Sequence, residues 1–159
     1  MDYLWTPWRY QYVTTSGEPG ECVFCVAGRS TDDHAHFVVH RGSHNFVILN
    51  RFPYTSGHVM VVPYAHVANL DDLPAETSAE MMSLSRECVK RLREIYHPEG
   101  LNLGMNLGKC AGAGIAGHLH MHVLPRWTGD TNFMTVTAET RVLPEILEAT
   151  WERLRAAFR

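Results

Sequence analysis

The chain has 159 residues, of which 45% are hydrophobic and 19% are charged, and its formal net charge is −3. This composition is that of one globular domain with a sizeable core, and it excludes a disordered chain. The slightly acidic balance argues against a DNA or RNA polymer or an anionic membrane surface as partner, although a small phosphate site could still be locally positive.

The N-terminal residues do not have the pattern of a secretory signal. The N-terminal stretch MDYLWTPWRY lacks the positive region and apolar run of a secretory signal. No apolar stretch reaches the roughly 20 residues of a membrane-spanning helix. We therefore expect a cytoplasmic protein with reduced cysteines, among which Cys88 is buried as a small apolar residue. The aromatic residues Trp5, Trp8 and Tyr10 are expected to pack in the core or at an interface.

Several short segments have the composition and period of β-strands. In chain order they are residues 36–40, 46–50, 57–63, 101–108 and 118–125. The sequence RGSHN between the first two indicates a hairpin. Turn-forming residues on both sides of the motif CVFC, residues 22–25, predict that its two cysteines lie in a loop.

Two segments have the period of an amphipathic helix. The first is 75–96, whose apolar face carries Leu84, Cys88, Leu92, Ile95 and Tyr96. The second is C-terminal and carries Leu143, Leu147, Trp151, Leu154 and Phe158 on one face, with Pro144 in its first turn. Five strands with few helices predict an α+β fold with a mainly antiparallel sheet.

The most informative stretch is GHLHMHVLPRW, residues 117–127. On a strand, alternation places His118, His120 and His122 on one face and the apolar residues between them on the other. The preceding sequence NLGKCAGAGIAG is rich in glycine, which allows backbone N–H groups to approach an anion. It lacks the GK[ST] motif of a P-loop.

Three interpretations of the histidines remain at this point. They could form a His-rich sheet surface without a function, or a catalytic metal site of three imidazoles, as in some zinc enzymes. Three residues in a row on a flat strand converge poorly on one ion, however. The third interpretation makes one imidazole a nucleophile towards phosphorus, with its neighbours donating hydrogen bonds and protons.

The pattern HLHMHVL resembles the signature of the histidine triad (HIT) superfamily, His-φ-His-φ-His-φ-φ, where φ is apolar. The stretch FVILNRFPYTSGHVMVVPYAHVANLDDL resembles the strand pair upstream of that motif. The segments LWTPWRY, VLPRWTGDTNF and VLPEILEAT are most similar to the bacterial branch described as diadenosine tetraphosphate phosphorylases. The resemblance implies one histidine triad domain over 1–159, with an N-terminal segment 1–35, a core 36–127 and a C-terminal segment 128–159.

The resemblance also implies roles for individual residues. His120 would be the nucleophile, assisted by His118 and His122. The positions expected to contact nucleotide are Asn50 (ribose), Asn106 and His122 (phosphate), and the turn with Gly114 and Gly117 beneath the phosphates. To these we add Lys109, whose charge could meet a polyphosphate.

A structural Zn²⁺ is a further implication of the resemblance. Cys22 and Cys25 have the C-x2-C spacing of zinc ligands, which alone is half a site. In zinc-bearing relatives the other two ligands correspond to His66 and His118. The alternative is a pair of packed, reduced cysteines. We expect neither a catalytic metal nor an organic cofactor.

The resemblance implies a homodimer with joined sheets that acts on an adenine nucleotide or dinucleotide by nucleotidyl transfer. We expect a diadenosine tetraphosphate phosphorylase that uses inorganic phosphate and forms ADP and ATP. The hydrolase branch carries glutamine where this chain has Gly114, which favours phosphate over water as acceptor. The alternatives are a dinucleoside polyphosphate hydrolase, a purine nucleoside phosphoramidate hydrolase, a metal-dependent hydrolase and a non-catalytic nucleotide-binding regulatory module.

Overall fold

The computed structural model describes residues 21–130 and 144–159. The helices are α1 (Val23–Arg29), α2 (Asp33–His36), α3 (Ala75–Tyr96) and α4 (Leu147–Ala157). The strands are β1 (Val38–Arg41), β2 (Asn45–Leu49), β3 (Val59–Pro63), β4 (Gly100–Gly104) and β5 (Met121–Arg126), and short 3₁₀ turns span Leu70–Asp72 and Lys109–Ala111. Within the described ranges, none of the helices has both the length and the apolar character that crossing a membrane requires.

The strands form one sheet in the order β1-β2-β3-β5-β4, and every neighbouring pair is antiparallel. The α+β class and the antiparallel sheet predicted from the sequence are therefore confirmed, as is the hairpin between the first two strands. In the chain, α3 connects β3 to β4. In the sheet, β5 lies between these two strands and pairs with both of them. The histidine-bearing strand thus lies in the interior of the sheet.

Each face of the sheet carries its own apolar cluster. One cluster joins α3 and α4 to alternate residues of the strands, among them Val47, Val61 and Val123. The other cluster lies on the opposite face and contains Phe24 of α1 together with Phe46, Ile48 and Met60. Since directly opposed residues share a face, the pairing of Met60 with His122 places the histidine side of β5 on the α1 face.

The long helix occupies the range predicted for it, and Cys88 is buried at 1% exposure. The C-terminal helix is shorter than predicted because it begins at Leu147, so Pro144 precedes its first turn. The hydroxyl of Thr150 donates to Glu145 and to the carbonyl of Ile146, which fixes this start. Leu143 lies outside the described residues, as do Trp5, Trp8 and Tyr10.

The prediction that residues 118–125 form one strand was wrong at its first residues. The ladder pairs Val61 with Met121, so Leu119 would oppose Pro63, which has no N–H to donate. Leu119 donates instead to the carbonyl of Val67, at 2.7 Å. Only His122 of the three histidines therefore lies in β5, although Leu119 and Met121 still pack in the same cluster as predicted.

The predicted loop around CVFC is a helix, α1. Phe24 and Ala27, one turn apart, are buried against the sheet. Arg41 of β1 donates to the carbonyls of Ala27, Gly28 and Ser30, which satisfies the C-terminal end of the helix. Burial and these hydrogen bonds outweigh the turn-forming residues nearby.

Three strand ends also differ from the predictions. The first strand starts at Val38 because Asp32 caps α2, where its side chain accepts from Ala35 N–H. The third starts at Val59, after a turn in which Gly57 has a φ of +81°. The fourth ends at Gly104, which pairs with His122, and β5 begins at Met121, so residues 106–108 have no β5 residue opposite them.

Candidate functional site

The proton position of His120 is set by the chain beside it. Its Nδ1 lies 2.8 Å from the carbonyl oxygen of His118, and because a carbonyl only accepts, Nδ1 carries the proton. The lone pair of the neutral ring is therefore on Nε2. Burial lowers the pKa of His120, and the hydrogen bond to the His118 carbonyl opposes this shift. The ring is thus a neutral imidazole with its nucleophilic nitrogen defined.

His122 is oriented by a second histidine, His58. The backbone N–H of Tyr54 donates to Nδ1 of His58 at 3.1 Å, so the proton of neutral His58 is on Nε2. That nitrogen lies 2.9 Å from Nδ1 of His122 and donates to it. His122 consequently carries its proton on Nε2. The ring centroids of His120 and His122 are 4.8 Å apart, so a ring with its lone pair on Nε2 neighbours a ring with its proton on Nε2.

No role for His58 was predicted from the sequence, although this residue lies in the stretch that resembles the strand pair upstream of the triad motif. His58 is 1% exposed and ends the turn that returns the chain into β3. Asn50, the predicted ribose contact, lies beside it, with its Nδ2 3.4 Å from Nδ1 of His58 and its Oδ1 accepting from Phe52 N–H. A histidine directly before a buried strand is the signal that could have identified it, because a buried imidazole needs a partner.

Replacement of His58 by phenylalanine should lower the free energy of unfolding by about 1–3 kcal/mol, because Nδ1 of half-buried His122 loses its donor. Urea denaturation measures this change. The matched control is the exposed His44→Gln, which should leave the free energy of unfolding nearly unchanged. Equal effects of the two substitutions would contradict the hydrogen-bonded chain through His58.

Acid should destabilise the protein through His122. Burial, and to a smaller extent the charge of His120, lowers the pKa of His122 to about 4. The pKa of a histidine in the unfolded chain is about 6.5. Between these values the unfolded chain binds a proton that the folded chain does not, so stability falls as pH decreases from about 6.5 towards 4.

Urea midpoints at pH 7 and pH 5 measure this effect. We expect a lower midpoint at pH 5 for the wild type and a smaller decrease for His122→Gln. His44→Gln should retain the full decrease. A decrease of the same size in all three proteins would show that His122 does not carry the effect.

The four predicted metal ligands meet in one cluster. The ligand atoms of Cys22, Cys25, His66 and His118 all lie within 4.8 Å of one another. Nδ1 of His118 is 3.4 Å from Sγ of Cys22, 3.6 Å from Sγ of Cys25 and 3.2 Å from Nδ1 of His66. Two ligand atoms on a tetrahedral zinc with bonds of 2.0–2.3 Å lie about 3.3–3.8 Å apart, so the cluster has dimensions close to those of a zinc site.

The protonation of His118 also suits a metal ligand. Its Nε2 donates to the carbonyl of Pro63 at 2.9 Å, which leaves the lone pair of Nδ1 directed into the cluster. Burial, then Cys22, raises the pKa of Cys25, so metal binding would release its proton. Both nitrogens of His118 are thus engaged, and this residue reaches His120 through its backbone carbonyl.

The glycine-rich loop forms a tight turn before the histidines. Gly108 and Gly112 have φ values of +82° and +89° on either side of the 3₁₀ turn that contains exposed Lys109. Asn106 is half-buried and its side chain donates to the carbonyl of Gly112 at 3.5 Å. Gly114 and Gly117 lie in the bend that leads to His118.

The three histidines do not converge on one point. The ring of His118 faces the cysteines, His120 is bound to a carbonyl, and His122 is bound to His58. What the arrangement offers instead is a nucleophilic nitrogen, an adjacent N–H donor and a separate centre of sulfur and nitrogen ligands.

Comparisons with known proteins agree with this geometry. The model of the HIT domain matches residues 32–129. A protein of Mycobacterium tuberculosis named AP-4-A phosphorylase is 38% identical over 159 residues, which cover 94% of this chain and 80% of that protein.

Two solved structures are similar in fold and sequence. A Zn-bound histidine triad family protein from Mycobacterium smegmatis has a TM-score of 0.69 at 33% identity, covering 86% of this chain and 92% of its own. A hypothetical histidine triad nucleotide-binding protein from Sulfolobus tokodaii has a TM-score of 0.68 at 26% identity, covering 86% and 91%.

Proposed function

The chain belongs to the HIT domain family, and from this premise we propose that it is an enzyme that transfers a nucleotidyl group from a dinucleoside polyphosphate through His120. The observation that carries the proposal is the pair of fixed tautomers in the site. Nδ1 of His120 is tied to a carbonyl, and Nδ1 of His122 accepts from His58. These bonds direct a lone pair and an N–H donor from adjacent rings.

In the first step, the lone pair on Nε2 of His120 attacks the α-phosphorus of the substrate. An N–P bond forms, and the bond from this phosphorus to the bridging oxygen breaks, with its electron pair leaving on that oxygen. Nε2–H of His122 donates to an oxygen of the phosphate chain where negative charge develops. A neutral imidazole suits this step because it carries no charge when it reacts and is a good leaving group afterwards.

In the second step, an oxygen of inorganic phosphate attacks the same phosphorus. A P–O bond forms, the N–P bond breaks and the lone pair returns to His120. With diadenosine tetraphosphate the first step releases ATP and the second releases ADP, so substrate and phosphate give ADP and ATP in total. Water as acceptor would give AMP instead of ADP.

The residues around the two rings are proposed to hold the nucleotide. Oδ1 of Asn50 already accepts one hydrogen bond and keeps a second lone pair for a ribose hydroxyl. Asn106 and the turn from Gly114 to Gly117 would contact the phosphates, and Lys109 would meet the far end of the phosphate chain. Each of these assignments follows the family resemblance, except that of Lys109, which rests on its charge.

Phosphate is proposed as the acceptor on two grounds. Gly114 stands where the hydrolase branch has a glutamine, so this chain offers no side-chain amide there to contact the α-phosphate. The similar protein from Mycobacterium tuberculosis is named AP-4-A phosphorylase.

A cytoplasmic location is also proposed, because reduced cysteines such as those of the metal cluster are typical of that compartment.

The decisive experiment incubates the protein with diadenosine tetraphosphate and ³²P-labelled inorganic phosphate and separates the nucleotides by chromatography. We expect label in ADP and none in ATP, because the attacking phosphate becomes the β-phosphate of ADP. Without phosphate, little product should form. His120→Ala is the negative control.

The other outcomes separate the alternatives. Unlabelled AMP with ATP, formed without phosphate, would replace the phosphorylase by a hydrolase. Turnover restricted to adenosine phosphoramidate would identify a phosphoramidate hydrolase. Nucleotide binding without turnover, equal in wild type and His120→Ala, would make the protein a regulatory nucleotide-binding module.

We also propose that two chains pair through β4. Among the described residues this strand lies at the edge of the sheet, so one side of its backbone pairs with no other described strand. Leu103 on β4 is 46% exposed, which favours burial in an assembly. Light scattering should give twice the mass of the 18.0 kDa chain. A monomer that retains activity would exclude the dimer.

A further inference from the structure

Phe24 lies between the two cysteines of the candidate metal centre. Cys22 directly precedes α1, and Cys25 is in the first turn of this helix. The side chain of Phe24 points into the sheet and is 3% exposed. A residue in this place moves with the cysteines on either side of it.

The ring of Phe24 contacts two histidines of the triad motif. Its centroid lies 5.4 Å from that of His118, nearly edge-on at 74°, and 5.1 Å from that of His120 at 52°. The hydrogen bond from Nδ1 of His120 to the His118 carbonyl fixes one atom of the ring. One such bond leaves the ring able to rock about it, so the plane of the imidazole needs a second contact, and Phe24 supplies one.

The position of Phe24 depends on anchors at both ends of α1. At the C-terminal end, the guanidinium of Arg41 binds three backbone carbonyls of α1 and the residue after it at 2.7–2.9 Å. At the N-terminal end, Cys22 and Cys25 meet His66 and His118. Loss of the metal would release the N-terminal anchor alone, and Phe24 lies two residues after Cys22 and directly before Cys25.

We propose that Phe24 is a positioning residue for His120 and that it links the state of the metal centre to the orientation of the nucleophile. The catalytic part of this proposal rests on the proposed function, whereas the orientation of the His120 ring does not. The metal centre would then set the geometry of the reaction without touching the substrate.

The test compares Phe24→Leu with Phe46→Leu. Phe46 is fully buried in the same apolar cluster, but its aromatic contact is with Tyr64, at 5.3 Å. Both substitutions remove a ring from the same cluster and should cost similar stability. Zinc content is measured in each variant, and a loss of zinc in Phe24→Leu with zinc retained in Phe46→Leu would assign Phe24 to the metal ligands and overturn its role for His120.

Two readouts separate positioning from stability. The first is the Nδ1–H proton of His120 in ¹⁵N-edited NMR, which should exchange faster with water and shift in Phe24→Leu but not in Phe46→Leu. The second is turnover, where Phe24→Leu should lower kcat about 10- to 100-fold with KM little changed, since small misplacement of a reacting group is costly. Chelation of the wild type should change the Nδ1–H signal in the same direction as Phe24→Leu.

An unchanged Nδ1–H signal in Phe24→Leu, or equal losses of kcat in both variants, would overturn the proposal. If the wild type turns over no nucleotide, the proposed function fails while the NMR comparison still decides the role of Phe24. Should Phe24→Leu not fold, Phe24→Met keeps more of the volume and is subject to the same criteria.

Discussion

His120→Ala should lower the rate of nucleotidyl transfer by at least about 10³-fold, since loss of a nucleophile removes the covalent route altogether. Among the histidines of the motif, only His120 has Nδ1 hydrogen-bonded to a backbone carbonyl, at 2.8 Å. This bond fixes its lone pair on Nε2. The measurement is single-turnover release of ATP from diadenosine tetraphosphate. In the wild type, substrate labelled in its α-phosphates should also leave a covalent adduct on the protein that is labile to acid and stable to base.

His122→Ala is the matched comparison, because it removes the neighbouring imidazole but leaves the nucleophile. It should slow the reaction by about 10²- to 10³-fold, the cost of one donor to a developing negative charge, and should still form the covalent adduct. An adduct that persists in His120→Ala and disappears in His122→Ala would show that His122, and not His120, is the nucleophile.

The alternation of residues 118–123 was enough to predict how this stretch divides between core and site. Leu119, Met121 and Val123 are all in one buried cluster, as a period of two requires. Where the strand begins was not predictable from the same pattern. That boundary depends on Pro63, which lies 56 residues before Leu119 in the chain and has no N–H at the position opposite it.

The alternating pattern alone does not distinguish the environments of the three histidines, although the family resemblance assigned His118 to the cysteines. His118, His120 and His122 look equivalent as letters, yet one faces two thiols, one is bound to a carbonyl and one to His58. The last contact joins residues 64 apart, and only the pairing of β3 with β5 creates it. Spacing selected these residues as candidates, whereas the hydrogen-bond partners that the fold brings to each ring determine which of its nitrogens carries the proton.

Helix α1 was not predicted from the sequence. Its residues follow and precede runs of turn formers, so local composition predicted a loop. Burial of Phe24 and Ala27 and the contacts of Arg41 stabilise seven residues as a helix, although a helix of this length is unstable in isolation. For the site this means that Cys25 lies in a helix and Cys22 directly precedes it, so the two cysteines are not in a loop.

The second large effect is expected from the metal centre. Cys22 directly precedes α1, Cys25 lies in α1, His66 follows β3 and His118 precedes β5. An ion bound to all four would therefore join segments up to 96 residues apart in the chain. The unfolded chain has no such preformed site, and binding therefore stabilises the folded state. At a free metal concentration of about 100 times Kd the stabilisation is about 2.7 kcal/mol.

Removal of the metal by a chelator should accordingly lower the Tm of the wild type by about 5–11 °C. Cys25→Ser should show a reduced zinc content and a low Tm that a chelator no longer changes, because the tetrahedral set has lost one thiolate. Differential scanning calorimetry with and without chelator measures both effects.

Cys110→Ser provides the control, since Cys110 is an exposed cysteine outside the cluster. It should retain zinc, the Tm of the wild type and the full response to chelator. A wild-type Tm that does not respond to complete removal of zinc would mean that the four ligands are held together by the fold alone. The hydrogen bond from Nε2 of His118 to Pro63 and the contacts of Arg41 with α1 would then be sufficient to position the carbonyl that orients His120.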